Sequence, residues 1–368
     1  MLDTDELKKY QRHFNLPGFG IEGQLKLKNA SVLIIGCGGL GSPVSLYLAA
    51  GGVGTIGLMD FDIISESNLQ RQVQFNEDEI GFNKAEITAK KLTRLNSKIS
   101  VSTYQEKLTN KNALQLIKRF DLVIDCTDNF PTRYLINDAC EILNIPFIYG
   151  SIYQYEGQVS VFNYNGGATY RDLFPKPPTP DSVPNCEIGG VMGSLAGIIG
   201  STQANEAIKL ICHIGEVLSN KLFIFDSLYM LSRTINITPD STRQGVKKLI
   251  DYENFCNTTK QTMIKEISVS ELNNMMIDKE DFQLIDVREQ HEVDICTLNG
   301  ELIPLGNIPS SIESISKEKK VVIHCRSGAR SSQAIQYLQD HGDYSNLYNL
   351  KGGILAWADE IDPTMTKY

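Results

Sequence analysis

Six residues constrain this chain more than any other stretch. Gly36-Cys37-Gly38-Gly39-Leu40-Gly41 follow the apolar run Ser31–Ile35 and open a helical stretch. A strand that turns through glycines directly into a helix lets phosphate oxygens approach the backbone at the positive helix N-terminus. The same turn commits the chain to alternating strands and helices. Runs at Ser31–Gly36, Thr55–Asp60, Val101–Tyr104 and Asp121–Asp125, separated by helical periodicity, predict a mostly parallel sheet with helices on its faces. After Pro146 the runs Phe147–Gly150, Gly157–Tyr164 and Lys221–Asp226 read as a mixed or antiparallel extension of that sheet. The expected fold class is α/β, with a Rossmann-like first domain whose mostly parallel sheet carries a mixed extension, followed by a smaller α/β domain.

The second domain follows from length and pattern. At 368 residues the chain exceeds the usual span of one core. A polar connection at Gln244–Met263 separates a first domain, 1–257, from a second, 265–368. In the latter, Leu284–Val287, Val321–His324 and Leu347–Asn349 read as strands, and Ala329–Gln339 and Ile354–Glu360 as helices. Pro175–Cys186, with five prolines, reads as an extended, mobile segment able to carry function.

Charge and cysteine usage narrow the partners. A net charge of −9 argues against nucleic acid or an anionic membrane, since both require a cationic face. Eight scattered cysteines and a polar N-terminus imply a reducing cytoplasm and no signal peptide. The apolar stretch Gly189–Cys212 contains Gln203, Asn205, Glu206 and Lys209, too costly together for a membrane span, and reads as a buried core helix.

Taken alone, the glycine turn suits a nicotinamide-dependent oxidoreductase, or no more than a tight turn. Asp60, at the end of the next strand, is placed to bind ribose hydroxyls. Asn68, Arg71, Gln72 and Lys84 bring polar groups and cations towards the phosphates, and Asp128, just past a strand end, is a ligand for Mg²⁺. Hydride transfer needs neither the cations nor the metal. In the second domain, Cys325 heads Cys325-Arg326-Ser327-Gly328-Ala329-Arg330, between the strand Val321–Ile323 and a helix. Backbone N–H groups, Arg326 and Arg330 there favour a thiolate able to carry a persulfide. His324 faces the other side of the strand and reads as structural.

Over Leu7–Asn257 these motifs resemble the adenylyltransferases that activate molybdopterin-synthase and thiamin sulfur carriers, relatives of ubiquitin-activating enzymes. Over Ile267–Tyr368, Leu284–Glu289, the Cys325 loop and Leu350–Trp357 resemble a rhodanese domain. The resemblance implies ATP with Mg²⁺ in the glycine-turn pocket, bound by Gly36, Gly38, Gly39, Gly41, Asp60, Asn68, Arg71, Gln72, Lys84 and Asp128. Arg12 would reach into the pocket of a neighbouring subunit, and therefore implies a homodimer. The partner implied is a ubiquitin-like sulfur carrier with a C-terminal Gly-Gly, adenylated and then given sulfur from Cys325, which an external donor such as a cysteine desulfurase loads. Cys186 matches a cysteine that resolves a sulfur-linked intermediate. Many relatives hold zinc with two C-x-x-C pairs, whereas this chain has Thr169-Tyr170-Arg171-Asp172 at the first pair and Cys256 alone near the second, so no structural zinc is expected. The competing readings are an oxidoreductase fused to a sulfurtransferase, and a non-catalytic adaptor that docks the carrier.

Overall fold

Strand β1 (Ser31–Ile35) explains the architecture, because both its faces are covered. Val32 and Ile34 enter one hydrophobic core while Leu33 and Ile35 enter another, the alternation expected of a strand buried between two layers. The computed structural model describes residues 1–177, 190–257, 264–342 and 344–368, which fall into two compact units divided after Asn257.

The first unit holds an eight-stranded sheet in the order β3-β2-β1-β4-β5-β6-β7-β8. Strands β2 (Thr55–Met59), β3 (Ser100–Tyr104), β4 (Leu122–Asp125) and β5 (Phe147–Tyr153) run parallel to β1. β6 (Glu156–Phe162), β7 (Lys221–Asp226) and β8 (Leu231–Asn236) add in antiparallel fashion. The chain moves outward from β1 through β2 and β3, then returns to place β4 on the other side of β1. That reversal opens a crevice at the carboxyl ends of β1 and β4, where open α/β sheets bind ligands.

The apolar stretch forms the helix Gly193–Cys212, packed on β5 and β6. Its polar residues have defined partners: Gln203 Nε2 donates to the Asp125 carbonyl at 2.8 Å, and buried Glu206 accepts from the Leu218 N–H at 2.8 Å and the Lys209 ammonium at 2.6 Å. Among the described residues no helix is long and apolar enough to cross a membrane.

The second unit is a five-stranded, all-parallel sheet in the order β11-β10-β12-β13-β9, from β9 (Lys265–Ile267), β10 (Phe282–Asp286), β11 (Glu301–Leu302), β12 (Lys320–His324) and β13 (Leu347–Leu350). β12 is its central strand. Its side chains also alternate between two cores, Val321 and Ile323 on one face and Val322 on the other.

Candidate active sites

At the crevice of the first unit, Gly36 adopts φ +94°, and a side-chain carbon there would lie 2.7 Å from the Cys126 carbonyl oxygen. Only glycine lets the ends of β1 and β4 approach so closely. Gly41 is held as tightly against the Gly36 carbonyl. Gly38 faces the Gln72 amide, and Gly39 faces the side chain of Arg71, so the turn, Arg71 and Gln72 meet in space. Gln72 is buried, and its Oε1 has no hydrogen-bond partner. A buried amide oxygen left unpaired beside a glycine turn is suited to a donor supplied by a ligand.

Asp60 follows β2. Its carboxylate accepts the Cys37 N–H at 2.8 Å and the Asp62 N–H at 2.9 Å, while burial pushes its pKa up. Asn83 caps the helix Lys84–Leu95 and ties it to the Asp60 and Asp62 carbonyls. This anchors Lys84, only 7% exposed at its side chain, whose Nζ lies 2.8 Å from Asp62. A charge so buried is not a solvated surface lysine. Asp62 is the neighbour that sequence reasoning passed over, and its spacing from Asp60 was the available signal.

Asn68 Oδ1 accepts the Ser65 N–H, and Arg71 donates to the Ser67 carbonyl at 3.0 Å, which fixes the segment carrying both. Asp128 is exposed and makes no hydrogen bond or ion pair among the described residues. The turn before it is rigid: Asp125 accepts the N–H and hydroxyl of Thr127, and buried Arg133 joins Asp125 at 3.3 Å and donates to the Thr127 carbonyl at 3.0 Å. A free carboxylate on a fixed turn fits Mg²⁺, which takes one or two protein carboxylates with substrate phosphates. Arg12 is not brought to this crevice. Its helix, Gln11–Phe14, meets the far end of the helix Gly41–Gly51 through His13, which contacts Gly51 and bonds Gln24, itself a donor to the Gly51 carbonyl. Eleven helical residues, about 16 Å, separate that end from the glycine turn.

In the second unit Cys325 directly follows β12 and is 1% exposed. Its sulfur accepts the Gly328 N–H at 3.2 Å and lies 3.5 Å from the Ser331 hydroxyl. Gly328 caps the helix Ala329–His341 at φ +98°, a conformation that turns its N–H back onto the thiol. The Gly352-Gly353 turn clamps the loop from outside: Ile354 N–H donates to the Cys325 carbonyl at 2.9 Å, and a side-chain carbon on Gly353 would strike it at 2.5 Å. Arg326, Ser327 and Ala329 are exposed. The two loop arginines are less free than their sequence position implies. Arg330 forms a two-pronged ion pair with Glu292 at 2.6 Å, which with backbone hydrogen bonding lowers the Glu292 pKa to about 2 against the opposing effect of burial. Arg326 donates through Nε to the Tyr368 main-chain oxygen. His324 is fully buried, 3.7 Å from Asp286, and burial lowers its pKa to about 4.

The position expected to hold zinc in many relatives carries a different device. Arg171 grips buried Asp138 with two bonds, 2.7 and 2.8 Å, and Tyr252 donates to the same carboxylate at 2.7 Å. The Arg171 guanidinium lies 5.0 Å from the ring centroids of both Tyr134 and Phe255. Arg243 adds Glu141, Asp172 and Thr169. Burial, then Glu253, pushes the Cys256 thiol up to about 11, so it is no ready thiolate. Among the described residues no three potential ligands cluster, and this donor set does not fit structural zinc. Ion pairing and ring stacking, set against the packed core around Tyr134, Tyr170 and Tyr252, hold the region. Cys186 lies outside the described residues, as does most of Pro175–Cys186.

Residues 10–246 match the ThiF family and residues 268–360 match the rhodanese-like domain. The chain is 41% identical, over all of its own length and 96% of the relative's, to the probable adenylyltransferase/sulfurtransferase MoeZ of Mycobacterium tuberculosis. It is 40% identical, over all of its length and 89% of the relative's, to the adenylyltransferase and sulfurtransferase MOCS3 of Xenopus laevis. A crystal structure of E. coli MccB with MccA-N7isoASN superposes with a TM-score of 0.59 and 25% identity, covering 70% of this chain and 76% of that one. The glycine-turn crevice and the cradled cysteine thus occur in a chain that belongs to the ThiF family and carries a C-terminal rhodanese-like domain.

Proposed function

We propose that this chain adenylates the C-terminal glycine of a ubiquitin-like sulfur carrier with ATP and then replaces the activated oxygen with sulfur carried by Cys325. The observation that carries the reading is the meeting, at the β1/β4 crevice, of the glycine turn, Arg71, the unpaired Gln72 amide and a rigidly held Asp128 turn, in a chain that also holds the Cys325 cradle. The relatives, named for adenylyltransfer and sulfurtransfer together, support it.

The carrier carboxylate attacks the α-phosphorus of ATP and expels pyrophosphate, leaving an acyl adenylate. Arg71 and Lys84 offset the charge that develops on the phosphates, Asp60 holds the ribose, and Asn68 and Gln72 orient the nucleotide. Asp128 would hold Mg²⁺, which would supply charge neutralisation at the phosphates. Arg12 completes the pocket of a second copy in a homodimer, since its own crevice lies at the other end of a helix. The terminal sulfur of a Cys325 persulfide then attacks the acyl carbon and expels AMP. The acyl disulfide formed is cleaved by Cys186 at Cys325 Sγ, releasing the thiocarboxylate and leaving a Cys186–Cys325 disulfide for a cellular thiol reductant. An external sulfur donor, of which a cysteine desulfurase is one example, reloads Cys325. The turn from β7 into β8, with Tyr229, Met230 and Leu231 between 65% and 71% exposed, offers the carrier an apolar surface.

The test is to incubate the protein with ATP, Mg²⁺, thiosulfate and candidate carriers. Pyrophosphate exchange that depends on the carrier, with a carrier mass gain of one sulfur for one oxygen, is expected. Exchange without that mass gain removes the sulfur step, and NADH binding without ATP binding removes the reading altogether.

A further inference from the structure

Tyr368 is remote in sequence from the cysteine loop but reaches the charged groups that surround it. Its hydroxyl receives a hydrogen bond from Arg288 at 2.7 Å and donates to Glu292 Oε1 at 3.0 Å. Glu292 is the partner of Arg330. The main-chain oxygen of Tyr368 accepts Arg326 Nε at 2.6 Å, and the Arg326 guanidinium lies 5.5 Å from the Tyr368 ring centroid. One residue therefore holds Arg326 directly and Arg330 through Glu292.

The geometry of Arg326 gives this arrangement a chemical meaning. Arg326 is exposed, and its two terminal guanidinium nitrogens make no hydrogen bond or ion pair among the described residues. A guanidinium fixed by Nε and by a ring face, with both terminal nitrogens free, presents the paired N–H geometry that receives a two-oxygen anion. Arg330 cannot serve, because both its arms are taken by Glu292. Without the Tyr368 ring, Arg326 is an exposed side chain held by one hydrogen bond to a main-chain oxygen, and orienting its guanidinium plane again for each encounter costs entropy.

We propose that Tyr368 is a positioning residue for sulfur loading: it sets Arg326 at the mouth of the Cys325 loop as the docking group for an anionic sulfur donor of the thiosulfonate class. This rests on Cys325 being the sulfur-carrying nucleophile, and the experiment separates the two claims.

The full chain and its Tyr368→Ala, Tyr368→Phe and Arg326→Gln variants are compared in two measurements. The first is alkylation of Cys325, followed by mass of its peptide, with iodoacetate and with iodoacetamide, reagents of nearly equal size that differ in charge. The second is thiosulfate-to-cyanide sulfur transfer. In Tyr368→Ala the ratio of iodoacetate to iodoacetamide rates is expected to fall about fivefold, and the KM for thiosulfate to rise by a similar factor with kcat within twofold, as for a group that binds the donor without touching the reacting atoms. Both substitutions at Tyr368 spare the main-chain oxygen, so the ring makes the difference: Tyr368→Phe, which keeps it, retains most of the ratio. Arg326→Gln loses it, and adding Tyr368→Ala to Arg326→Gln changes nothing further. A loosened loop would instead change both alkylation rates together. That result, an unchanged ratio in Tyr368→Ala, or a further loss in the double variant, overturns the proposal. Alkylation reads the position of Arg326 even if no sulfur is transferred, so absent thiocyanate production combined with a charge-dependent ratio would count against the function assigned to Cys325 and leave the placement of Arg326 standing.

Discussion

Replacing Arg171 with alanine tests whether the ion-pair clasp, rather than a metal, holds this part of the first unit together. The Asp138 side chain is 2% exposed and that of Arg171 is 14% exposed. Removing the arginine leaves the carboxylate with Tyr252 and Asn137 as neutral donors and no counter-charge. Breaking one side of a buried pair costs about 3–5 kcal/mol. The stacking on Tyr134 and Phe255, about 1 kcal/mol or more when desolvated, disappears with it. The first unit is expected to lose about 4 kcal/mol. Tyr252→Phe, which removes one hydrogen bond to a charged acceptor, loses about 2 kcal/mol. Urea unfolding followed by far-ultraviolet circular dichroism reads the loss. The single tryptophan, Trp357, belongs to the second unit, so its fluorescence supplies an internal control whose midpoint stays fixed. A chelator added to the parent protein leaves both transitions unmoved. A loss below about 1 kcal/mol in Arg171→Ala, or a parent that melts early in the presence of the chelator, would refute the reasoning.

Three further outcomes follow from the sites. Cys325→Ala abolishes thiocyanate formation from thiosulfate while carrier-dependent pyrophosphate exchange stays within twofold of the parent; a parallel loss of exchange would show that the two chemistries are not separable. Lys84→Met lowers that exchange about 10²-fold, the usual effect of removing one preorganised charge from a transition state, and full activity in the variant would remove Lys84 from the pocket. The pKa of His324, about 6.5 when unfolded, is lowered to about 4 by burial, so between these values the unfolded chain binds the extra proton. Stability of the second unit should therefore be complete above pH 6.5 and fall by about 3 kcal/mol as the pH drops to 4, with the slope flattened in His324→Gln when Trp357 fluorescence is followed; an equal slope in the variant would exclude His324 as its source.

How much was readable in the sequence depended on whether the information was local. β1, β2, β4 and β12 are apolar runs covered on both faces, and they show directly as hydrophobic segments. β8 does not, because all six of its residues, Leu231–Asn236, are exposed and it is a strand only through pairing with β7. β9 and β11, three and two residues long, likewise depend on their neighbours β13 and β10. The sites divide in the same way. The glycine turn and the Cys325 loop are contiguous, with glycines whose positive φ and close contacts explain their presence. Arg133 under the Asp128 turn, the Asp138–Arg171–Tyr252 clasp and Tyr368 beside Arg288 are tertiary contacts, the last between residues 80 positions apart. No periodicity records them.

The two strand-to-helix turns also show that burial alone does not decide what a cysteine does. Cys37 and Cys325 each lie at the end of a central strand, before a helix, and each is 1% exposed. At Cys37 burial, reinforced by the negative charge of Asp60, holds the thiol well above its ordinary pKa, and its own N–H is spent on the Asp60 carboxylate. The next helix begins at Gly41, so the open backbone of that turn is left free for the phosphates of the proposed nucleotide. At Cys325 the turn is tighter, and the Gly328 N–H and Ser331 hydroxyl are directed at sulfur itself. Donors aimed at the atom stabilise an anion there, whereas donors aimed into the crevice stabilise an anion on a ligand. At neutral pH, peptide mapping after brief iodoacetamide treatment should find Cys325 modified at least about tenfold faster than Cys37, Cys126 and Cys140, whose thiols burial likewise holds high. Equal labelling of Cys37 and Cys325 would mean that the direction of these donors does not set the chemistry of the two turns.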